Sequence, residues 1–330
     1  MTMTEEAIVV NGLTKDFKGF IAVDGVSFQV KMGENFGFLG PNGAGKTTTV
    51  KMLCTLLRPS GGNAQVAGYD IVRDQSQVRK SIGIIFQEPS LDDRLTAREN
   101  LRFHGIIYKV PGKELPARIN RSLEWMELED RADDLVRNFS GGMKRRLEIA
   151  RGLLHLPKIL FLDEPTLGLD PQTRNRIWEY LLRLRQDANV TLFLTTHYMD
   201  EAEHCDRIAI IDHGKIIALD TPQELKAQMR GDLVDLQTGD DALTEKELVA
   251  KHGIMVRGDS QGLHFEVPNG AEFIPKLVRE LTADVIAVST RRPTLDDVFL
   301  KLTGREIRNG SLSGRDRMRN RLQRIGRRWR

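Results

Sequence analysis

The sequence predicts an α/β protein in which helices cover both faces of a largely parallel sheet, followed by a smaller α+β domain. The length of 330 residues suits two domains of unequal size. Apolar residues make up 40% of the chain and charged residues 29%, as in globular proteins with a full core. Up to about residue 219, short apolar runs alternate with helical patterns. Short buried strands separated by helices favour a parallel sheet.

The first domain is expected to span residues 7–231. Its strands are predicted from short apolar runs rich in β-branched residues, at Ile8–Val10, Asn35–Leu39, Ile82–Phe86, Ile159–Asp163, Val190–Thr195 and Ile208–Ile211. Between residues 88 and 138 the pattern turns mostly helical without a clear strand, which predicts an inserted helical subdomain. A stop at Thr221 and a helix that begins at about Pro222 close this domain.

The second domain is expected to span residues 232–304 and to be a small α+β fold. Its strands are predicted at Leu233–Gln237, Gly253–Arg257, Gly262–Val267 and Asp284–Ser289. Its helices are predicted at Thr244–Lys251, Ala271–Leu281 and Thr294–Thr303. The small and polar residues of Asn309–Gly314 then predict a flexible linker.

The last part of the chain, residues 305–330, is strongly basic. Ten arginines against two acids give it a net charge of +8, so the rest of the chain, with +3 for the whole, carries −5. If this segment were a helix, four apolar residues would share one side of it: Met318, Leu322, Ile325 and Trp329. Such a basic amphipathic pattern suits an anionic lipid surface. Gly326 weakens such a helix, and a solvated, disordered tail explains the charges equally well. Nucleic acid is a third interpretation, because arginine clusters attract any phosphate.

Composition and cysteine usage exclude several classes of protein. No stretch approaches the roughly 18 consecutive apolar residues of a membrane helix. The polar run Met1–Glu6 lacks the features of a secretory signal. Cys54 and Cys205 lie far apart without metal-ligand spacing, so we expect buried, reduced thiols. We therefore expect a protein that stays in the cytoplasm and does not itself cross a membrane.

The most informative run lies between a short apolar strand and the start of a helix, and it reads Gly40-Pro41-Asn42-Gly43-Ala44-Gly45-Lys46-Thr47-Thr48. It fits the phosphate-loop pattern, in which glycines let backbone N–H groups wrap an anion at the positive end of a helix. Lys46 can reach the β- and γ-phosphates, and the Thr47 hydroxyl can ligate Mg²⁺. A simple glycine turn is the alternative, but it explains neither flank. The run predicts binding of a nucleoside triphosphate.

Three further features follow in order along the chain. They are Phe139-Ser140-Gly141-Gly142-Met143 ahead of a basic helix, an apolar strand that ends in Asp163-Glu164-Pro165, and Thr195-Thr196-His197 after another apolar strand. With the phosphate loop, this set resembles the ATP-binding cassette (ABC) ATPases over about residues 7–225. The resemblance implies an α/β P-loop NTPase fold with an inserted helical subdomain, and hydrolysis of ATP with Mg²⁺.

The two acids follow a buried strand, at the sheet edge where parallel sheets bind ligands. There Asp163 can hold Mg²⁺ through water. The resemblance implies that Glu164 is the general base for the attacking water, that His197 donates to the γ-phosphate and that Gln87 contacts Mg²⁺ or water. The alternatives are a solvated strand end for the acids and a structural role for the histidine.

Ser140-Gly141-Gly142 is the most family-specific run. A Ser-Gly-Gly turn before a helix makes an anion site from backbone N–H groups. The resemblance implies that this turn serves ATP held by a second copy of the chain, in a head-to-tail homodimer with Leu169-Asp170 at the interface. Phe139 and Met143 depart from the leucine and glutamine that usually flank the turn, but the turn itself is intact.

Phe17 occupies the place of the family's usual adenine-stacking tyrosine. A phenyl ring also stacks on adenine. Plain core packing of Phe17 is the alternative, and Phe20 is a rival for the stacking role.

Arg291–Leu300 resembles a C-terminal motif of drug-resistance exporter ATPases of the daunorubicin type, and Met143 and Glu88–Arg94 resemble the same branch. From the residues alone, Thr294–Asp297 is only an N-capped helix start with acids in its first turn. The resemblance implies an ATPase subunit at the cytoplasmic face of the cell membrane. It would power efflux of a hydrophobic drug or lipid-like compound through a separate permease.

Other functions fit the cassette less well. Family members that act on ribosomes usually carry two cassettes in one chain, and those that act on DNA interrupt theirs with long coiled coils; neither feature is present. An importer ATPase stays an alternative. A nucleotide-regulated binding protein without turnover would not need an intact catalytic set: Lys46, Asp163, Glu164 and His197. Nucleic acid is not an expected partner, and contact of the tail with anionic lipid stays open.

Overall fold

A computed structural model describes residues 6–88, 90–229, 231–259 and 262–304. The described chain divides into two compact units, residues 6–218 and residues 219–304. The division falls earlier along the chain than the boundary expected at residue 231. The reason is that the helix Pro222–Ala227 packs against the helix Leu295–Thr303 of the second unit.

The strands of the first unit are β1 (Glu6–Phe17), β2 (Phe20–Lys31), β3 (Asn35–Leu39), β4 (Gly61–Val66), β5 (Tyr69–Asp70), β6 (Ile82–Ile85), β7 (Ile159–Asp163), β8 (Thr191–Thr196), β9 (Arg207–Asp212) and β10 (Lys215–Asp220). Its helices are α1 (Lys46–Leu53), α2 (Gln75–Ser81), α3 (Ala97–Ile107), α4 (Leu115–Trp125), α5 (Gly141–Leu153), α6 (Pro171–Ala188) and α7 (Met199–Ala202). Short 3-10 helices lie at Glu129–Arg131 and Val136–Asn138. All strands predicted for this unit are present.

The central sheet has the strand order β10-β9-β3-β8-β7-β6. From β9 to β6 neighbouring strands run parallel, as predicted. β3, β7 and β8 are buried along their whole length. Rings from this sheet and from β2 pack together in the core: Phe28, Phe36, Phe38, Phe161 and Phe193. Because Leu39 pairs with Thr196 and Asp163 with Thr195, the three strands end at the same edge.

A second sheet of the first unit is antiparallel, with the order β2-β1-β4-β5. The predicted strand Ile8–Val10 lies in β1 of this antiparallel sheet and not in the parallel sheet. The physical reason is the tight turn at Lys18-Gly19, where both residues have positive φ and the chain returns at once as β2. β2 is absent from the prediction, although its alternation of buried and exposed residues is typical of a strand with one solvent face.

The interval between residues 88 and 138 is helical, as its pattern predicted. It holds α3, α4 and both 3-10 helices, and its described residues contain only an isolated bridge between Thr96 and Leu135. Thr96 caps α3 in a capping box with Glu99. α5 begins beyond this interval yet packs against both α3 and α4, so the helical layer includes it.

The second unit consists of α8 (Pro222–Ala227), β11 (Asp232–Thr238), α9 (Asp241–His252), β12 (Val256–Asp259), β13 (Gly262–Val267), α10 (Gly270–Glu280), β14 (Val285–Arg291) and α11 (Leu295–Thr303). Its antiparallel sheet has the order β12-β13-β11-β14. An apolar core fills this unit: Val234, Leu236, Leu248, Leu263, Phe265, Val267 and Leu277. Every strand and helix predicted here is present, and the predicted α+β fold is confirmed.

Cys54 and Cys205 are buried, unpaired thiols, as predicted. Burial raises the pKa of both thiols, which keeps them protonated. In the part of the chain that the structure describes, no helix has both the length and the apolar character needed to cross a membrane. The predicted linker Asn309–Gly314 and the basic tail, residues 305–330, lie outside the described residues.

Candidate active site

A cavity of about 660 Å³ opens where β3, β7 and β8 end. The phosphate loop follows β3. Asp163 is the last residue of β7 and Glu164 comes directly after it, while His197 follows β8. Parallel strands in register therefore bring together segments that are far apart in sequence. Most residues of the predicted site line this cavity: Phe17, Asn42, Gly43, Gly45, Lys46, Thr47, Thr48, Gln87, Glu164 and His197.

The phosphate loop enters α1 through Gly45, which has a φ of 106° and supplies no side-chain cap. A Cβ at Gly45 would lie 2.5 Å from the carbonyl oxygen of Ala22, and a Cβ at Gly40 would lie 2.3 Å from that of Ile211. Only glycine fits at either place. The start of α1 thus keeps its N–H groups clear of side-chain caps, as an anion-binding helix end requires.

Lys46 is 5% exposed and lies between the loop and the acids. Its Nζ donates to the carbonyl oxygens of Gly40 at 2.7 Å and Pro41 at 3.2 Å, and it is 3.3 Å from Glu164 Oε1. Burial lowers the pKa of Lys46, although the charges of Glu164 and Asp163 oppose the shift. The site therefore holds its ammonium group by backbone oxygens and a carboxylate.

Asp163 is 2% exposed. Its Oδ1 accepts hydrogen bonds from Thr47 Oγ1 at 3.2 Å and from Thr195 Oγ1 at 2.5 Å. Hydroxyl and carboxylate oxygens suit Mg²⁺, which proteins usually bind together with phosphates and water. The pair Thr47 and Asp163 fits an ion that arrives with the nucleotide. Among the described residues, no cluster of three or more His, Cys, Asp or Glu side chains is placed to hold a metal alone.

Glu164 has a φ of 48°, an uncommon conformation outside glycine. Its N–H donates to the carbonyl oxygen and to Oγ1 of Thr195, both at 3.1 Å. Its Oε1 lies 3.2 Å from His197 Nδ1 and 3.3 Å from Lys46 Nζ. Burial acts to raise the pKa of Glu164, but His197 and Lys46 together outweigh it, so the pKa is lowered. An ionised carboxylate, suited to accept a proton, therefore lines the cavity.

Comparison with known proteins agrees with this geometry. The family model of ABC transporters matches residues 23–167, and the model of the DrrA1-3-like C-terminal domain matches residues 221–303. The daunorubicin resistance ATP-binding protein DrrA3 of Streptomyces coeruleorubidus is 41% identical over 312 residues, which cover 93% of this chain and 98% of that protein. The chain belongs to the ABC transporter ATP-binding proteins.

Further members of the family are similar along most of their length. A Nod factor export ATP-binding protein of Ralstonia nicotianae is 39% identical, over 91% of this chain and 94% of that protein. The structure of cbiO1 from Clostridium perfringens, part of the ABC transporter complex cbiONQ, gives a TM-score of 0.64 at 30% identity, over 68% of this chain and 92% of that chain. A bacterial ABC transporter cassette with a dimeric structure gives 0.59 at 29% identity, over 65% of this chain and 98% of that chain.

These matches confirm the predicted family and its branch. The chain is an ABC ATPase, and the relatives DrrA3 and DrrA carry names that refer to drug resistance. The site described above contains the parts that ATP hydrolysis needs: a phosphate loop, a buried lysine and an ionised acid.

Two aromatic rings stand at the mouth of the ABC site. Phe17 and Phe20 both line the cavity and are 45% and 67% exposed. Core packing therefore does not explain Phe17. Lys15 Nζ lies 5.1 Å from the centroid of the Phe17 ring, which places a positive charge beside that ring.

The Ser-Gly-Gly turn lies elsewhere. Ser140 caps α5 by accepting a hydrogen bond from the N–H of Met143 at 3.2 Å, and in the described chain the turn does not line the cavity. A Cβ at Gly142 would lie 2.6 Å from Thr173 Cγ2, and one at Gly141 would lie 3.9 Å from Leu169 Cδ2. The two segments predicted to face a second copy, this turn and Leu169-Asp170, are therefore neighbours in the fold.

Other predicted residues support the site from outside its lining. Gly40 and Pro41 hold Lys46 through their carbonyl oxygens. The carbonyl oxygen of Ala44 accepts a hydrogen bond from the N–H of Gly214 at 3.0 Å, which ties the loop to the turn before β10. Asp163 reaches the cavity only through Thr47.

The structure adds residues that sequence reasoning missed. Ala22, Leu167, Gly168 and Tyr198 line the cavity, and Thr195 fixes both acids. The Tyr198 ring lies 4.1 Å from the His197 ring, centroid to centroid, and the Arg174 guanidinium lies 4.1 Å from the Tyr198 centroid. Leu167, Gly168 and Tyr198 lie next to predicted motifs in the sequence and could have been found from that adjacency, whereas Ala22 comes from β2.

Proposed function

We propose that this ATPase powers efflux of a hydrophobic drug or lipid-like compound through a separate membrane permease, with Glu164 as the general base. The observation that carries the proposal is the contact of one carboxylate oxygen, Glu164 Oε1, with both Lys46 and His197 at the mouth of the phosphate loop. The names of the relatives, which refer to daunorubicin resistance and Nod factor export, support the direction of transport.

In the proposed reaction, Glu164 takes a proton from water while the water oxygen bonds to the γ-phosphorus. The bond from that phosphorus to the β–γ bridging oxygen breaks, and ADP and phosphate leave. Lys46 and His197 stabilise the charge on the γ-phosphate oxygens. When bound, Mg²⁺ would neutralise charge on the β- and γ-phosphates. The ion would be held by Thr47, by Asp163 through water and by Gln87.

We propose further that two copies of the chain close around two ATP molecules. The turn Ser140-Gly141-Gly142 does not line its own chain's cavity, and it lies beside Leu169. That placement supports a role toward the ATP of the second copy, with Leu169-Asp170 at the interface. The dimeric structure of a related cassette supports a dimer of this chain.

The permease is proposed to contact an apolar face of α3. Phe103, Ile106 and Ile107 are 61%, 62% and 56% exposed, and their spacing places them on one side of the helix. Exposed apolar side chains grouped in this way favour a protein partner. A permease partner would locate the chain at the cytoplasmic face of the membrane. Contact of the tail, residues 305–330, with anionic lipid stays a further hypothesis, and nucleic acid is not a proposed partner.

The change Glu164→Gln tests the proposed base. We expect turnover to fall about 100-fold or more, because the amide cannot accept the proton, while ATP binding and dimer formation persist. The measurements are steady-state hydrolysis, ATP affinity and dimer formation in solution. The control is Glu179→Gln on α6, which makes the same chemical change on an exposed side chain. Equal turnover in the two variants would remove Glu164 as the base.

A pull-down tests the permease. The tagged Glu164→Gln chain is recovered from native membranes in mild detergent with ATP, and bound proteins are identified by mass spectrometry. We expect a stoichiometric polytopic membrane protein, and less of it with Phe103→Ser and Ile106→Ser than with Met255→Ser, an exposed control residue. Recovery from the soluble fraction only, with ribosomal proteins or nucleic acid, contradicts the transporter proposal.

A further inference from the structure

One face of α5 carries charged side chains that the proposed reaction does not use. Arg145 is 7% exposed, and the side chains of Glu148 and Arg151 are 0% and 12% exposed. Residues three apart share a helix face, so the three form one row. Arg145 Nη1 donates to Glu148 Oε2 at 3.0 Å, and Arg151 Nη2 lies 3.9 Å from Glu148 Oε1.

Arg145 holds two segments of the active site at once. Its Nε donates to the carbonyl oxygen of Pro165 at 2.5 Å, and its Nη1 donates to that of Phe86 at 2.6 Å. Pro165 follows the proposed base, and Phe86 precedes Gln87. The Nη2 atom also lies 3.4 Å from the carbonyl oxygen of Glu164. One guanidinium therefore spans the backbone on both sides of the site.

The other two residues of the row hold the far side of the Gln87 loop. Glu148 Oε1 accepts a hydrogen bond from the N–H of Ser90 at 2.8 Å. Arg151 Nη1 donates to the carbonyl oxygen of Ser90, also at 2.8 Å. With Arg145 on Phe86, the segment that contains Gln87 is fastened to α5 at both ends.

Stability alone does not explain such a row. A buried ion pair contributes little net stability compared with apolar residues of the same volume, because both charges lose their hydration. Geometry explains it better. A guanidinium carries several donors in a rigid fork, whereas a lysine ammonium is a single point charge that cannot reach two carbonyl oxygens on opposite sides.

We propose that Arg145 is a positioning residue that sets the backbone of the Gln87 loop and of the Glu164 turn in one geometry and fastens both to α5. Because α5 begins at Ser140-Gly141-Gly142, the turn proposed to face the second copy's ATP, Arg145 also links that contact to the chain's own base. The inference rests on the roles proposed above for Gln87 and Glu164. Displacement of a reacting group by about 1 Å can slow a reaction about 100-fold.

Three variants test the proposal in the full chain, each with kcat, KM, ATP affinity and thermal stability measured. Arg145→Lys keeps a charge beside Glu148 but cannot span Phe86 and Pro165. The double change Arg145→Met with Glu148→Leu removes both members of the closer ion pair, while Arg151, 12% exposed, keeps its hydrogen bond to the carbonyl oxygen of Ser90. Arg146→Met is the matched control on the same helix, because its guanidinium instead donates to the carbonyl oxygens of Met126 and Glu127.

We expect kcat to fall between about 10-fold and 100-fold in Arg145→Lys and in the double variant, with ATP affinity changed less than about twofold. The double variant is expected to melt near the wild-type temperature, so its lost turnover is not lost folding. Arg146→Met is expected to lower stability and keep kcat. Two results would overturn the proposal. One is a kcat near the wild-type value in Arg145→Lys, and the other is a double variant whose kcat and melting temperature both match the wild type.

A parallel measurement on Glu164→Gln distinguishes failure of the proposed base from failure of the positioning role. Normal turnover in that variant overturns the proposed base, whatever the Arg145 variants do. Lost turnover in Glu164→Gln with normal kcat in both Arg145 variants overturns only the positioning role.

Discussion

Two helices, α1 in the first unit and α11 in the second, begin in opposite ways. α1 of the first unit starts after Gly45, with no side-chain cap and no acid in its first turn. α11 of the second unit starts with Thr294 and Asp297 in a capping box, and Asp296 adds a second acid to the first turn. Every helix start leaves backbone N–H groups without partners. The chain satisfies that need by itself in α11 and leaves it open to an anion in α1.

The buried side chains of the two units follow the same contrast. In the first unit Lys46, Asp163 and His197 are each at most 5% exposed; Lys46 and His197 line one cavity, and Asp163 accepts a hydrogen bond from Thr47 in its lining. The core of the second unit is apolar, and in one of its ion pairs, Arg291 with Asp297, the arginine side chain is about half exposed. Buried charge costs free energy unless it is paired. The first unit accepts that cost at the site, whereas the core of the second unit avoids it.

The largest expected effect on the difference between α1 and α11 is that of Gly45→Ala on ATP affinity. The new Cβ would meet the Ala22 carbonyl oxygen at 2.5 Å, and φ 106° is strained for alanine, so the start of α1 must move. We expect ATP affinity to fall at least about 100-fold, close to 3 kcal/mol. Isothermal titration with ATP measures it.

Gly68→Ala is the matched control. Gly68 has a φ of 84°, but its Cβ would meet nothing within 4 Å. Backbone strain alone should lower stability by about 1 kcal/mol and leave ATP affinity unchanged. If Gly45→Ala and Gly68→Ala bind ATP equally well, the uncapped helix start is not the phosphate site.

Sequence reasoning succeeded where the physical cause is local. The phosphate loop is one continuous run, and strands such as Asn35–Leu39 and Ile159–Asp163 are continuous apolar runs that were placed without error. It failed where contacts join distant segments. Nothing near Thr195 or Arg145 in the sequence shows that one fixes Asp163 or that the other spans to Phe86.

A smaller effect is expected at the capped start of α11, in the variant Thr294→Ala. Loss of the side-chain cap on α11 should cost about 1 kcal/mol of unfolding free energy, because the N–H of Asp297 loses its acceptor. ATP affinity should not change, since the cap serves only folding. Chemical denaturation and ATP titration measure the two quantities. Ser289→Ala, an exposed hydroxyl on β14, is the control. Weaker ATP binding in Thr294→Ala would show that α11 is not a purely structural helix.

The smallest effect concerns Asp297 and its dependence on pH. Burial acts to raise the pKa of Asp297, but the hydrogen bonds from Arg291 and Thr294 outweigh it and hold the pKa below its ordinary value. A carboxyl group with a lowered pKa in the folded state stabilises the protein above its unfolded pKa, and that contribution is lost as the pH falls through the folded pKa. Asp297→Asn should therefore be less stable than the wild type at pH 7, by less than about 1 kcal/mol because Arg291 is half exposed to solvent. The difference should shrink below pH 4 in urea unfolding measured across the acid range. A stability difference that stays constant with pH would assign the loss to the cap geometry at Thr294 and not to the charge. A lower ATP affinity of Asp297→Asn at pH 7 would contradict the view that α1 binds the nucleotide and α11 does not.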